Sequence, residues 1–123
     1  MRYLLDTCAL IWLGMGGGDL SADVKRRITV ASSLHYSSIS VWEIARLQKE
    51  GKVVIPVDAE EFLADLTELY GLSAIPPNDD IMLRAANLPD FHKDPADRII
   101  IATALIRGMP IVTGDGKFSQ YGV

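Results

Sequence analysis

Four acidic residues each lie beside a short apolar segment, where a strand should end or a helix should begin. They are Asp6, Glu43, Asp97 and Asp115. In parallel α/β sheets, ligands collect at the carboxyl ends of the strands, and three of the four acids occupy such predicted ends. We therefore expect these carboxylates, although remote in sequence, to form one metal-binding pocket.

The donor types of this predicted pocket indicate the kind of metal and the chemistry. Several carboxylate oxygens without cysteine or paired histidines favour a hard cation, Mg²⁺ or Mn²⁺, over zinc. His35 and His92 lack the paired spacing of a zinc site, so both are predicted to be structural or surface residues. Such ions suit phosphodiester cleavage by metal-activated water. The hypothesis is a metal-dependent nuclease.

Each of these acids also has a simpler structural interpretation. Asp6 could cap a helix that starts at Thr7. Ser40 and Glu43 match the S-x-x-E capping box, in which the glutamate reaches back to the cap amide. On a helical wheel, however, Trp42, Ile44 and Leu47 surround Glu43, and a carboxylate among apolar residues needs a partner. The functional interpretation is therefore favoured for both acids.

The two carboxyl-terminal acids are ambiguous in the same way. Asp94 and Asp97 would both lie in the first turn of a helix, where the helix dipole favours negative charge. Asp94 is predicted to be the helix cap rather than a ligand. The apolar segment from 99 to 106 indicates a buried helix whose N-terminus, with Asp97, points into a crevice. Asp115 in Thr113-Gly114-Asp115-Gly116 is equally compatible with a plain turn.

Other polar residues near these acids are candidates for supporting roles. Hydroxyl groups that could orient the carboxylates belong to Thr7, Ser38 and Thr113. Cations that could contact phosphate are Lys93, Arg98 and Lys117, with Lys25, Arg26 and Arg27 further away along the chain. An ordinary solvated surface is at least as good an interpretation for each cation taken singly.

Apolar periodicity and turn residues predict alternating helices and short strands. Strands are predicted at 3–5, 34–37, 72–75 and 111–113, and 52–56 is predicted to be extended. Helices are predicted at 22–31, from Ser40 to about Gly51, at 59–70, from Asn78 or Asp79 through Ala86, and from Asp94 to Ile106. One or two helical turns should follow Asp6, before the glycines at 16–18. This alternation predicts a parallel sheet covered on both faces.

The bulk composition limits the possible classes of protein. A chain of 123 residues, 49% of them hydrophobic, fits one globular domain, 1–123. Cys8 is the single cysteine, which excludes an internal disulfide, and we expect it to be a small buried hydrophobe. No apolar stretch approaches the roughly twenty residues of a membrane span and no signal peptide is apparent, so a cytoplasmic protein is expected.

The charge balance bears on nucleic-acid binding. The net charge of −4 argues against a basic electrostatic coat. However, the 16 acids exceed the 12 Lys and Arg by four, which is the number of candidate ligands. The charge outside the predicted pocket is therefore balanced, and divalent cations could neutralise the pocket itself. An empty pocket of four carboxylates would repel phosphate, so metal should bind before substrate.

Taken with their neighbours, these residues resemble the PIN-domain ribonucleases, most closely the VapC toxins of VapBC toxin–antitoxin pairs. The resemblance covers nearly the whole chain and depends on four segments in order. They are Leu4-Leu5-Asp6-Thr7, Ser38 to Ile44, His92 to Arg98 leading into Ile101-Ala102-Thr103-Ala104, and Thr113-Gly114-Asp115. Any one segment is weak evidence, but four in this order and spacing are specific.

The resemblance implies a three-layer α/β/α PIN-like fold with a central parallel sheet, and a Mg²⁺- or Mn²⁺-dependent endoribonuclease. Asp6, Glu43 and Asp97 match the main metal-binding acids of the family, and Asp115 matches the more variable fourth. The family also implies an RNA substrate, a homodimer, and a cognate antitoxin that silences the toxin by crossing the active site. Two departures from the family pattern are Ala96, where a bulky aromatic is frequent, and the end of the sequence at Val123.

Two other classes of protein share some of these features. A receiver-like signalling module also has an acidic pocket on a parallel sheet, but Asp6 has no second acid beside it. A phosphatase of the haloacid-dehalogenase type needs an aspartate where this chain has Cys8. A PIN-like fold retained only for binding is the remaining alternative, and intact acids at all four positions count against it.

Overall fold

The computed structural model describes residues 1–16 and 20–113 of the chain. The strands are β1 (Arg2–Leu5), β2 (Ser33–Ser37), β3 (Leu72–Ile75) and β4 (Ile111–Val112). The helices are α1 (Thr7–Gly14), α2 (Ala22–Val30), α3 (Ile39–Lys49), α4 (Ala59–Tyr70), α5 (Asp79–Ala86) and α6 (Pro95–Arg107). The predicted elements are therefore confirmed, apart from the segment 52–56, which forms bends and no strand.

All strand pairs are parallel, and the sheet order is β3-β2-β1-β4. The alternation of strands and helices made this arrangement predictable, because parallel neighbours need a crossover connection. In receiver domains β1 lies between β2 and β3. Here β1 lies between β2 and β4, so the receiver-like alternative is wrong.

Side chains of consecutive strand residues point to opposite faces of the sheet, and β1 shows how this builds two cores. Leu5 packs in an apolar cluster with residues of α1, α2, α3 and α4. Leu4 packs in a second cluster, formed mainly by α5 and α6. The sheet therefore lies between two helical layers, which confirms the three-layer α/β/α architecture.

Local signals set the helix ends. Asp6, Ser21, Asp58, Asn78 and Asp94 each cap a helix with a side-chain oxygen. Gly71 and Gly108 end α4 and α6 in the left-handed conformation, with φ of 66° and 64°, which a side chain would strain. Among residues 1–16 and 20–113, no helix is long and apolar enough to cross a membrane.

Two local predictions from the sequence are wrong. Helix α3 begins at Ile39 after Ser38 rather than with Ser40 as its cap, so Ser40 lies inside the first turn. Cys8 lies on α1 but is exposed. The apolar run from 8 to 13 does not show which face of a two-turn helix meets the sheet, and position 8 lies on the outer face.

Candidate metal centre

The sheet topology brings candidate site residues to one edge. Asp6 directly follows β1, α3 with Glu43 follows β2, and Thr113 directly follows β4 and contacts Asp6, because β1 and β4 are neighbours. In the sheet, β1 has β2 as its neighbour on one side and β4 on the other. Ligands of open α/β sheets bind at such a point, outside the carboxyl ends of the strands.

Asp6 connects the ends of β1 and β4. Its carboxylate is buried, at 3% exposure. One oxygen, Oδ1, accepts a hydrogen bond from the Ala9 amide at 2.8 Å, so the helix-cap interpretation is confirmed. The other, Oδ2, accepts from the Thr113 hydroxyl at 2.5 Å. Asp6 is thus both a cap and a part of the pocket, and a hydroxyl directly after the neighbouring strand β4 orients it.

Glu43 is not the acid of a capping box. Because Ser38 precedes α3, the Ser40 hydroxyl is free of the capping role, and it lies 2.9 Å from the Thr7 hydroxyl in a buried contact. Glu43 itself is 7% exposed. Its Oε1 is buried and has no hydrogen-bond partner among the described residues. A buried carboxylate oxygen without a partner is costly, and a cation would satisfy it.

The start of α6 and the segment just before it hold two carboxylates and a histidine in one hydrogen-bonded unit. Asp94 caps the helix, because its Oδ1 accepts from the Asp97 amide at 3.1 Å. The Asp94 amide donates to His92 Nδ1 at 3.2 Å. Since Nδ1 accepts, Nε2 carries the ring proton, and it lies 2.8 Å from Asp97 Oδ2. His92 therefore donates to Asp97 and fixes the orientation of its carboxylate.

Three of these carboxylates meet in space. One oxygen from each of Glu43, Asp94 and Asp97 lies within 4.8 Å of the other two. The set fits a hard divalent cation, because all its donors are carboxylate oxygens and Glu43 has one oxygen, Oε1, without a hydrogen-bond partner among the described residues. The structure thus assigns Asp94 to the cluster as well as to the helix cap, whereas the sequence predicted only the cap.

The titration behaviour reflects crowding of like charges. Burial raises the pKa of Glu43, although a hydrogen bond from Thr7 and attraction to Arg46 oppose the shift. Burial, with repulsion from Asp94 and Glu43, raises the pKa of Asp97 to about 7. Asp6 also raises the pKa of both groups, so its charge acts on the same pocket. Metal-free, this pocket favours bound protons, and a divalent cation would reverse that preference.

The predicted cations and hydroxyls have different surroundings. Arg98 lies on α6, but its guanidinium donates to backbone carbonyls of α5 and of the loop that follows, which favours a structural role over phosphate contact. Lys93 is exposed beside the cluster. Arg26 and Arg27 pair with Asp23 on the exposed side of α2, and Lys25 lies there too. The Ser38 side chain makes no capping hydrogen bond. Asp115 and Lys117 lie outside the described residues.

Sequence patterns alone missed three residues near the cluster. Asp94 was assigned only one of its two roles, and His92 was predicted to lack a role in the site. Arg46, one helical turn after Glu43, was not considered. Its only available sequence signal was the i, i+3 spacing from Glu43, which places two residues on neighbouring parts of one helix face.

Comparisons with known proteins agree with this architecture. The model of the PIN domain family matches residues 3–123. The chain is 30% identical over 119 residues to Ribonuclease VapC22 of Mycobacterium tuberculosis, an alignment covering 96% of this chain and 90% of the relative.

Two solved structures share the fold at lower sequence identity. The first is VapC20 of Mycobacterium tuberculosis, described as a sarcin-ricin loop cleaving toxin, with TM-score 0.69, 16% identity, and coverage of 98% of this chain and 95% of that one. The second is a toxin–antitoxin complex from Klebsiella pneumoniae, with TM-score 0.64, 22% identity, and coverage of 92% and 86%. With its parallel sheet, its acidic cluster and a family match over nearly its whole length, this chain belongs to the PIN-domain family.

Proposed function

We propose that this protein is a Mg²⁺- or Mn²⁺-dependent endoribonuclease, formed by one PIN-like domain and acting in the cytoplasm as the toxin of a type II toxin–antitoxin pair. The observation that carries the proposal is the convergence of Glu43, Asp94 and Asp97 oxygens within 4.8 Å, with Glu43 Oε1 unpartnered among the described residues. Asp6 contributes charge to the same pocket. The PIN family match and the relative named as a ribonuclease support the choice of RNA.

The residues of the chain have separate tasks in this proposal. Glu43, Asp97 and Asp6, with Asp115, hold the cation, and Asp94 adds a further carboxylate. When bound, the cation supplies Lewis acidity and charge neutralisation for hydrolysis of the phosphodiester by water. Thr113 and Thr7 keep the Asp6 and Glu43 side chains oriented, through the 2.5 Å contact with Asp6 and the hydrogen bond to Glu43. Within the part of the chain that the structure describes, Lys93, exposed at the edge of the cluster, is the best placed of the predicted phosphate contacts.

An acidic pocket also suits a basic inhibitor. A cognate antitoxin whose segment places a basic side chain among these acids would neutralise the pocket and exclude both metal and RNA. The solved toxin–antitoxin complex with this fold supports such a partner. A homodimer, as the family resemblance implies, would place two such pockets in one particle.

Cleavage of a labelled RNA by the purified chain tests the proposal. Cleavage should need Mg²⁺ or Mn²⁺, stop on addition of EDTA, and fall at least about 100-fold in Asp97→Asn, because metal catalysis supplies several kcal/mol. Glu68→Gln is the matched control, since it removes an exposed carboxylate of α4 and should leave the rate unchanged. Cleavage at the wild-type rate in Asp97→Asn would contradict the proposal, as would a chain that binds RNA with metal present and never cuts it.

A further inference from the structure

Trp42 is an exposed tryptophan next to a buried catalytic candidate. The helical wheel placed Trp42 among the apolar residues around Glu43, but only Ile44 is buried there, and Trp42 is 57% exposed. Tryptophan is highly buried on average, and it is enriched at binding interfaces, where its ring is apolar and its N–H can find a partner. Because Trp42 directly precedes Glu43 on α3, whatever binds the indole also lies close to the carboxylate cluster.

Arg46 covers one face of this tryptophan. The guanidinium carbon lies 5.0 Å from the centre of the Trp42 ring, a cation–π geometry between residues one helical turn apart. Its Nε is buried without a hydrogen-bond partner among the described residues. Its Nη1 lies 3.3 Å from Glu50, and the same Glu50 oxygen lies 3.4 Å from Lys52 Nζ. One carboxylate is therefore shared by two cations, and Arg46 keeps unused donor capacity.

Positive charge extends along the same face of α3. Residues 42, 46 and 49 follow the i, i+4, i+7 pattern of one helical stripe, so exposed Lys49 continues the line from Trp42 through Arg46. With Lys52 nearby, three cations accompany the single carboxylate of Glu50. This excess of positive charge occurs in a chain whose net charge is −4. The combination of an exposed aromatic ring and a row of cations complements a polyanion that carries flat bases.

We propose that Trp42 and Arg46 form a subsite for single-stranded RNA beside the carboxylate cluster, in which a base stacks on the Trp42 face opposite Arg46 and Arg46 contacts a phosphate. Lys49, at the end of α3, and Lys52, just after the helix, continue the contact with the RNA backbone. The subsite would bind the RNA substrate of the proposed ribonuclease, so this inference rests on that proposed function. The subsite holds the RNA strand next to Glu43, so that a phosphodiester lies close to the carboxylate cluster.

Tryptophan fluorescence can report on this subsite directly. The chain has two tryptophans, so Trp12→Phe leaves Trp42 as the only one. The Asp97→Asn background removes a carboxylate of the cluster, so that binding can be measured without cleavage. The probes are octauridylate and an octamer of abasic ribose phosphates, which carries the same backbone without bases. If Trp12→Phe does not fold, the difference in quenching between the native tryptophan pair and Trp42→Phe gives the same information.

Octauridylate should quench Trp42 and the abasic octamer should not. Trp42→Ala should weaken octauridylate binding about 5- to 150-fold, the usual range for loss of one stacked base, and leave the abasic octamer within about twofold. Trp42→Phe should retain most of the affinity. Arg46→Gln should weaken both octamers. Tyr70→Ala, which removes an exposed aromatic residue at the end of α4, just before β3 and thus at the opposite end of the sheet, should change neither.

Two results would overturn the subsite. One is unchanged octauridylate affinity in Trp42→Ala. The other is a fall from dimer to monomer in Trp42→Ala by light scattering with unchanged RNA affinity per protomer, because the indole would then be covered by a second copy of the chain. The readouts also separate this proposal from the ribonuclease activity. Trp42-dependent binding by a chain that never cuts RNA would support the subsite and contradict the enzyme, and the reverse pattern would do the opposite.

Discussion

Arg98 and Glu43 are both largely buried charged residues, but their surroundings differ completely. The Arg98 side chain is 12% exposed, and its guanidinium lies 3.5 Å from Asp90 and donates to five backbone carbonyls. These belong to Ala85, Ala86, Leu88, Pro89 and His92. Glu43 is 7% exposed, with one oxygen that has no partner among the described residues and with carboxylates as neighbours.

The difference separates a structural use of buried charge from a functional one. A buried charge stabilises a fold only when hydrogen bonds replace the lost water, and Arg98 meets that condition by closing the loop between α5 and α6. Glu43 does not meet it, and its neighbours repel it. The chain tolerates this arrangement at the carboxyl ends of its strands because, we propose, a cation completes it.

Glu43→Gln should give the largest effect on activity. We expect RNA cleavage to fall at least about 100-fold, because the variant lacks a proposed ligand of the cation. The free energy of unfolding in EDTA should stay the same or rise, since a repelled charge is replaced by a neutral group of the same shape. Activity assays and chemical denaturation measure the two quantities. A strongly destabilised Glu43→Gln would place Glu43 with Arg98 as a structural residue.

Arg98→Met should give the opposite pattern. Five carbonyls lose their donor, so we expect the free energy of unfolding to fall by about 2 to 4 kcal/mol, while the activity of the folded fraction is retained. Arg98→Lys keeps the charge without the fan of donors and should be intermediate. A raised KM for RNA in Arg98→Lys, measured where the protein is fully folded, would instead support the phosphate contact that the sequence predicted for Arg98.

The two hydrogen bonds of His92, one donated to Asp97 and one accepted from the Asp94 amide, can be removed separately. His92→Gln can keep a donor to Asp97, whereas His92→Asn can keep only an acceptor for the Asp94 amide. We expect His92→Asn to weaken Mn²⁺ binding about 10- to 100-fold, as for other groups that orient a ligand, and His92→Gln to retain more of it. Isothermal titration with Mn²⁺ measures both. Equal Mn²⁺ affinity in both variants and the wild type would show that His92 does not contribute to metal binding.

The smallest expected effect is a pH dependence of stability in the metal-free protein. The pKa of Asp97 is raised to about 7, so the folded state holds a proton that the unfolded state has lost. This contribution is present below about pH 4 and lost as pH rises through 7, by at most about 1.4 kcal/mol per pH unit. Melting temperatures in EDTA should therefore show a decline towards neutral pH that Asp97→Asn reduces. Mn²⁺ should remove the decline, and a decline of equal size with Mn²⁺ would argue against a shared cation.

Most of the secondary structure was predictable because its signals are local. Apolar runs between turn residues located β1 to β4, and Asp94-Pro95 and Ser21 marked helix starts through caps that act within one turn. The N-cap of α3 was predicted two residues late, at Ser40 instead of Ser38, since the two serines have the same capping chemistry. Only contact with Thr7, a residue far away in sequence, distinguishes the buried Ser40 hydroxyl.

The sequence by itself determined which residue types the centre uses and that parallel strands would carry them to one edge. Only the tertiary structure decided that Asp94 lies beside Glu43 and Asp97 and that His92 donates a hydrogen bond to Asp97. The same holds for Arg98, whose guanidinium donates to backbone carbonyls. Ligand geometry depends on distances between elements far apart in the chain, and on which hydrogen bonds each side chain has already made. Neither quantity is encoded in local spacing, because both arise only when the helices pack on the sheet.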